Sequence, residues 1–364
     1  MGRIVVVVAQ SARYLAEMVV KCGWIAIAVD CYADSDTQQL SLETFRVKSL
    51  SKADLMPVLQ TIAERYAFKG VVYGSGFEAQ PDALVAIAER WSLLGTSPEV
   101  FQCFQDKSNF FENLTKLKIA YPETVFNFPE TTGVWLQKPY RGQGGAQISY
   151  HQTGANAAKD EFYWQRFMPG EAGSVTFLAS EQGADILGFN RQWVDDRDSV
   201  HPFIFSGICN RALFDIKHRK ILREFLSRLL AIYPLRGLAS LDFIINNGIC
   251  YVLEINARIP ASAQLYGRYL FNQHMDAVCG SMKVRRKHRH KPKGYQVIFA
   301  LGKIEIPSGF VWPEWVVDRP VDGAIISQGQ PICSIIAGGK NARQVQMRLQ
   351  QRQIFIQNIL FTGC

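Results

Sequence analysis

No apolar run in this chain approaches the roughly 18 residues that a membrane helix needs. The opening stretch, MGRIVVVVAQ, is apolar from its fourth residue, but no small-residue cleavage site follows it. Its β-branched run reads as a buried strand, not a secretory signal. The Ser or Thr that myristoylation wants at the sixth position is also missing. The eight cysteines contain no CxxC pair, and several sit inside apolar segments. That spacing gives neither a zinc site nor a disulfide framework, and points to reduced thiols in the cytoplasm. No GxxxxGK[ST] occurs, which excludes a P-loop. The first βα turn, Ala9-Gln10-Ser11-Ala12-Arg13, holds no glycine, which argues against a nicotinamide site there. The six histidines lack metal spacing and triad partners, and read as structural or exposed. No internal repeat is present.

What remains is a globular composition, 48% hydrophobic and 12% aromatic, over 364 residues. That length predicts two to three domains with sizeable cores. The net charge of +8 is concentrated in Lys283–Lys293 (KVRRKHRHKPK), which has seven Lys/Arg and no acid. The rest of the chain is close to neutral, so the pI does not imply a nucleic-acid surface. The basic run reads as a solvated linker, with docking to an anion as the alternative.

Strands and helices alternate through the first hundred residues. Ile4–Val8, Trp24–Val29 and Gly70–Tyr73 read as strands, and Ser11–Cys22, Ser51–Tyr66 and Pro81–Trp91 as helices. This alternation predicts a parallel sheet with crossover helices, a Rossmann-like domain over 1–97. Ser97-Pro98 then opens a helix running to Asp106-Lys107, and Ser108–Leu117 forms a second. Trp135–Lys138, Glu161–Phe167 and Gly173–Ala179 read as strands, and Ala212–Ile232 as a long helix. Leu238–Ile245 and Ile249–Ile255 form a hairpin around Asn246-Asn247-Gly248. Short strands follow the basic run, ending in a helix near Ala342–Gln353.

Three segments could carry chemistry. Gly74-Ser75-Gly76-Phe77-Glu78-Ala79 fits a loose dinucleotide fingerprint or a plain βα turn. Lys138-Pro139-Tyr140-Arg141-Gly142-Gln143-Gly144-Gly145-Ala146 is a strand end followed by a glycine-rich loop. Its backbone N–H groups could close over phosphates, or the loop is a simple turn. In the hairpin, a three-residue loop would pair Ile245 with Ile249 and place Asp242 opposite Val252. Asp242, Glu254 and Asn256 would then share one face, whereas a two-residue loop would put Asp242 on the opposite face. Two carboxylates and an amide oxygen on a rigid sheet suit Mg²⁺; the alternative is an ordinary solvent face.

In this order and spacing, the segments from about Gly70 to Arg258 resemble the ATP-grasp superfamily. The resemblance implies that Lys107 contacts a nucleotide phosphate, and that Lys138 contacts a phosphate or the adenine. It makes Arg141, Gly142, Gly144 and Gly145 part of a closing lid. Tyr163-Trp164-Gln165-Arg166-Phe167-Met168-Pro169-Gly170-Glu171 is similar to the family's hinge. There Gln165, Phe167 and Met168 would hold adenine, and Glu171 the ribose hydroxyls; the family often has Glu where Arg166 stands. Leu253-Glu254-Ile255-Asn256-Ala257-Arg258 resembles the E-x-N-x-R metal segment, with Asp242 as the upstream carboxylate and Arg258 on phosphate. The segment from Tyr295 to about Leu360 resembles the small β-rich end domain of the biotin-carboxylase-like carboligase branch, although no biotinyl-lysine segment is present. The implied organisation is a Rossmann-like domain over 1–97, an ATP-grasp region over 98–282, a basic linker over 283–294 and a β-rich domain over 295–364.

The resemblance implies an ADP-forming carboxylate–amine ligase using ATP and Mg²⁺ through an acyl phosphate. Its partners would be a small carboxylate and an amine, with a homodimer as the commonest oligomer. Relatives of this branch include amino-acid ligases, some of them making one-carbon-carrying cofactors. A non-catalytic nucleotide-binding module and a nicotinamide oxidoreductase using Gly74–Ala79 are the alternatives.

Overall fold

The structure, a computed structural model, describes residues 3–151, 161–195, 201–267, 269–282 and 290–361. All statements below concern these residues. Most of the basic run (283–289, with His288) and Cys364 lie outside them.

The chain opens as the alternation predicts. β1 (Ile4–Val8), β2 (Ile25–Asp30), β3 (Glu43–Arg46) and β4 (Val71–Tyr73) form a parallel sheet in the order β3-β2-β1-β4. The connecting helices are α1 (Arg13–Val20), α2 (Ser35–Leu40) and α3 (Lys52–Arg65), and α4 (Pro81–Ala88) follows β4. Val5 to Val8 are fully buried, as a parallel strand covered on both faces requires. Ser51 caps α3 by accepting the Asp54 amide at 3.2 Å. α2 and β3 have no counterpart in the sequence reading. SDTQQL and ETFR are too short and too polar to carry a hydrophobic period.

α5 (Pro98–Gln105) and α6 (Lys107–Lys116) follow. One boundary differs from expectation: Asp106-Lys107 does not end the first helix but starts the second. Asp106 caps it by accepting the Asn109 amide at 3.0 Å, because a short acidic side chain satisfies a free N–H better outside a helix than within one. β5 (Thr124–Val125), β6 (Trp135–Pro139), β7 (Ser149–Tyr150) and β8 (Phe162–Arg166) make a small sheet in the order β5-β8-β6-β7.

The largest sheet contains β9 (Glu171–Ser180), β10 (Gly183–Val194), β11 (Phe205–Asn210), β12 (Gly237–Asn246), β13 (Ile249–Asn256), β14 (Lys293–Phe299), β16 (Val316–Val317) and β18 (Pro331–Gly338). Its order is β13-β12-β9-β10-β11-β14-β18-β16. The late strands therefore continue the central sheet, through antiparallel pairing of β11 with β14. Only β15 (Ile304–Glu305) and β17 (Ile325–Ile326) pair separately. α7 (Ile216–Ile232), α8 (Leu270–Val278) and α9 (Ala342–Phe361) cover the sheet. α7 begins later than the expected Ala212, with Asp215 just ahead of it. No helix among the described residues is long and apolar enough to cross a membrane.

The β12–β13 hairpin corrects the expected register. Asn246 pairs with Ile249, so the loop has two residues, Asn247 (φ 46°) and Gly248 (φ 77°). This is the left-handed pair that a tight hairpin turn with strand-matched twist demands. An unbroken ladder from that turn would bury Glu254 on the face of Val252 and Phe243, both fully buried. A bulge intervenes instead. Phe243 pairs with Val252 and Asp242 with Glu254, leaving Leu253 as an extra residue. Val252 thus faces the core, not Asp242, and the bulge returns Glu254 to the Asp242 face. His218 on α7 holds the turn through a 3.0 Å bond between Nε2 and the Gly248 carbonyl.

Gly248→Ala forces a Cβ into the left-handed region and should lower the unfolding free energy by about 1–2 kcal/mol. Urea denaturation of the variant checks this.

Candidate nucleotide and metal site

Fourteen residues singled out in the sequence line one cavity of about 1420 Å³. They are Lys107, Lys138, Arg141, Gly142, Gly144, Gly145, Gln165, Phe167, Met168, Glu171, Asp242, Glu254, Asn256 and Arg258. They arrive from α6, the end of β6 and its loop, β8 and the turn into β9, β12, and β13 with the residues just after it, so their convergence is a tertiary fact.

Asp242 and Glu254 stand opposite each other on adjoining strands. Asp242 Oδ2 accepts from the Asn256 amide at 3.2 Å, but Oδ1 is buried with no hydrogen-bond partner. Burial first, and the charge of Glu254 second, push the Asp242 carboxyl well above the usual carboxylate range; Arg258 opposes this. Gln192 also lies close enough to favour the ionised form without reaching hydrogen-bond geometry. An orphaned buried oxygen beside a second carboxylate is a donor set short of a cation. Two hard-oxygen acids are what Mg²⁺ takes from a protein when phosphates and water complete its shell. Among the described residues no group of three or more His, Cys, Asp or Glu could hold a metal, so an all-protein cage is excluded there. Asn256 directs its amide nitrogen to Asp242, while its oxygen accepts from Arg258 Nη2 at 2.9 Å. As a ligand its amide must turn over.

The cations lie across the cavity. Lys138 ends β6, and its ammonium donates to Gln165 Oε1 at 3.1 Å. Gln165 in turn donates to Thr124 Oγ1 at 3.0 Å. The Gln165 side chain, only 2% exposed, is thereby spent on holding Lys138. Burial pulls the Lys138 amine down to about 8; Glu254 and Asp242 oppose the fall and Lys107 adds to it. Lys107, at the first turn of α6, is buried and has no hydrogen-bond or ion-pair partner among the described residues. Glu171 pairs with Arg191 at 3.0 Å at the rim. Arg166 also lines the cavity, with its guanidinium donating to Glu123 and to the Thr132 carbonyl.

The glycine-rich loop is docked. The Phe205 amide donates to the Gly144 carbonyl at 2.8 Å, and a Cβ on Gly145 would sit 1.9 Å from the Phe203 carbonyl oxygen. Gln143 donates to Gln10 in the first βα turn, so the loop bridges to the N-terminal sheet.

Several contributors escaped the sequence reading. Glu78 is 6% exposed and accepts Arg258 Nε at 2.7 Å. Its other oxygen accepts the Gly76 amide at 2.9 Å. Gly74–Ala79 is therefore a turn that positions an acid, and one of the N–H groups a dinucleotide phosphate would use is already taken. Despite its burial, Arg258 holds the Glu78 carboxyl below the usual range. Phe203 packs on Tyr150 and Phe167 (ring centroids 5.1 and 6.2 Å apart). Nothing in the sequence spacing signals either contact. Of the described histidines, His274 holds a structural place. His274 is buried between the Leu238 amide and the Leu94 carbonyl, and burial drops it to about 4.

Residues 104–262 match the family of ATP-grasp domains. An uncharacterized protein of Methanocaldococcus jannaschii is 21% identical over 262 residues, which is 68% of this chain and 64% of the relative. The tyramine–L-glutamate ligase of the same organism is 32% identical over 115 residues, 31% of this chain and 33% of the relative. The matches thus span less than two thirds of either relative's length. Among solved structures, the biotin carboxylase domain of Hydrogenobacter thermophilus 2-oxoglutarate carboxylase, a dimer with Mg-ADP and bicarbonate, has a TM-score of 0.73. It is 13% identical, and the alignment covers 95% of this chain and 88% of that one.

Glu78→Ala strands the Arg258 guanidinium without its counter-ion in a buried setting. Stability should fall by about 3–5 kcal/mol, read by chemical denaturation at neutral pH. Because the Glu78 carboxyl is depressed in the fold, the stabilisation is present above the ordinary carboxyl range. In the wild type it is lost as pH falls through the lowered folded value.

Proposed function

We propose that this chain, a member of the ATP-grasp superfamily with the biotin-carboxylase-like form of its fold, is a carboxylate–amine ligase that uses ATP and Mg²⁺. The observation that carries the reading is the half-buried Asp242–Glu254 pair, with one buried oxygen unanswered, sharing a single cavity with two lysines and Arg258. The similarity to a ligase named for an amine and an amino acid supports the class of reactants. An amino-acid-type carboxylate is the substrate we propose.

In this reading the substrate carboxylate attacks the γ-phosphorus of ATP in line, forming an acyl phosphate and ADP. The amine then displaces phosphate, leaving an amide. Asp242 and Glu254 would hold Mg²⁺, which would supply charge neutralisation to the phosphate oxygens. Lys107 and Lys138 place ammonium charges on the phosphate chain, and Glu78 aims Arg258 at the same region. Gln165 acts on Lys138 and not on adenine, while backbone around Phe167 and Met168 faces the base and Glu171 the ribose. Loop 141–146, tied to Gln10 and the segment before β11, keeps water from the acyl phosphate. A role in making a one-carbon-carrying cofactor belongs to this reading only as a choice of substrates to screen.

The experiment is an ADP- and phosphate-release screen of the Mg-ATP-loaded protein over amino acids paired with amines. Glu254→Gln should reduce the rate by about 100-fold or more, because it removes one of two anionic ligands. An unchanged rate in that variant removes the metal site.

The Lys138 amine also sets a pH dependence. A phosphate favours its protonated form, so nucleotide affinity should hold below about pH 8 and weaken up to about tenfold per unit above it. Lys138→Arg should bind with little change from about pH 7 to about pH 10. Wild-type affinity that stays constant over that range contradicts the assignment.

A further inference from the structure

The cavity extends beyond the site described above. Lys107, Lys138, Arg141 and Arg258 belong to the end described above. The other end lies outside the carboxyl ends of β1 and β2, where open parallel sheets receive ligands, and is closed by the loop carrying Asp318. At about 1420 Å³ the cavity also exceeds the roughly 300–1,000 Å³ of a single small-molecule site.

Four carboxylates gather at this second end, and three are answered by the protein. Asp30 accepts the amides of Ala12, Tyr32 and Ala33 at 2.6–3.2 Å. Asp36 accepts the amides of Asp318 and Arg319, both at 3.0 Å. Asp318 accepts Arg13 Nε at 2.9 Å and the Tyr295 hydroxyl at 3.1 Å. Asp34 is the fourth. It is 8% exposed and lines the cavity. It stands immediately before α2, where a carboxylate would normally cap the helix, yet its side chain caps nothing. Among the described residues it has no hydrogen-bond or ion-pair partner. Arg13, the nearby cation, is committed to Asp318, Glu17 and Gln264.

A buried carboxylate without a partner is costly, and a fold retains one where a ligand answers it. Three neighbouring carboxyl groups disfavour an anion here. A metal is disfavoured as well, because the neighbouring acids have spent their oxygens on N–H and O–H donors. What fits is one compact organic cation with several N–H donors. We infer that Asp34 holds a protonated amine of the acceptor substrate at the end of the cavity opposite the phosphate site. This rests on the ligase reading for the role of the bound group, but not for the binding itself. Burial, reinforced by Asp318, Asp30 and Asp36 and opposed by Arg13, lifts the Asp34 carboxyl to about 8. Tyr32 and Cys333 also face it. A bound ammonium would restore the ionised form.

The test titrates wild-type protein and Asp34→Asn, with and without Mg-ADP, against a panel of primary amines. Tyramine is included, each amine is paired with the alcohol of the same carbon skeleton, and binding is read by ligand-detected NMR. At least one amine should bind the wild type about tenfold or more tighter than the variant, while its alcohol does not distinguish the two proteins. If every amine that binds does so equally in both proteins, or none binds better than its alcohol, the inference is overturned. Failure of Mg-ADP to bind the wild type removes the ligase reading alone, because the amine titrations stand without it.

Thermal unfolding supplies the structural control. A carboxyl raised in the fold destabilises it increasingly as pH climbs above the ordinary carboxyl range. Asp34→Asn should therefore melt higher than wild type at about pH 9, with the gap closing by about pH 4. A variant that melts lower at every pH identifies Asp34 as a structural residue and also overturns the inference.

Discussion

Asp242 stands opposite Glu254 on an adjoining strand with one oxygen lacking any donor, so burial and the neighbouring acid make its negative charge costly until a cation answers it. That constraint organises the molecule. Asp242 and Glu254 meet only because Leu253 bulges out of β13, turning Glu254 from the Val252–Phe243 core to the cavity side. The sheet supplies the rigidity, and the bulge supplies the direction in which the second acid points.

The positive side of the cavity is organised around the same pair. Lys138 sits in a buried setting that weakens its hold on a proton, and Gln165 fixes where its ammonium lies. Arg258 is joined to Glu78 across the boundary between the parallel sheet and the central one. Loops of the N-terminal parallel sheet therefore contribute directly to the arrangement: they carry the acid that aims the arginine, and the Gln10 that meets the glycine-rich loop. One chamber is lined by these cations, the Asp242–Glu254 pair and the unanswered Asp34. In the proposed reaction, two reactants of different charge would have separate places in it.

Where the sequence reading erred, the causes are specific. A three-residue hairpin loop was expected, but Asn247-Gly248 forms the tighter turn. The expected co-facing of Asp242, Glu254 and Asn256 survives only through the bulge, which has no signature in the residues themselves. Asp106-Lys107 looked like a helix end, because a capping acid reads similarly on either side of a boundary. The bonds of Gln165 to Lys138 and Thr124 had no signal in the sequence. The short α2 and β3 had too few apolar positions to register.

By itself, the sequence determined the residue types that can do the chemistry and the order in which they occur. It also set the strand–helix alternation of the first domain and the hairpin that carries the acids, because hydrophobic period, caps and turn residues are local properties. Only the tertiary structure decided which of those residues share a cavity, which acids are matched by donors and which are left bare. Glu78 meeting Arg258 across 180 residues, and Asp34 standing unpaired among three satisfied carboxylates, depend on how distant segments pack, and no local pattern encodes that.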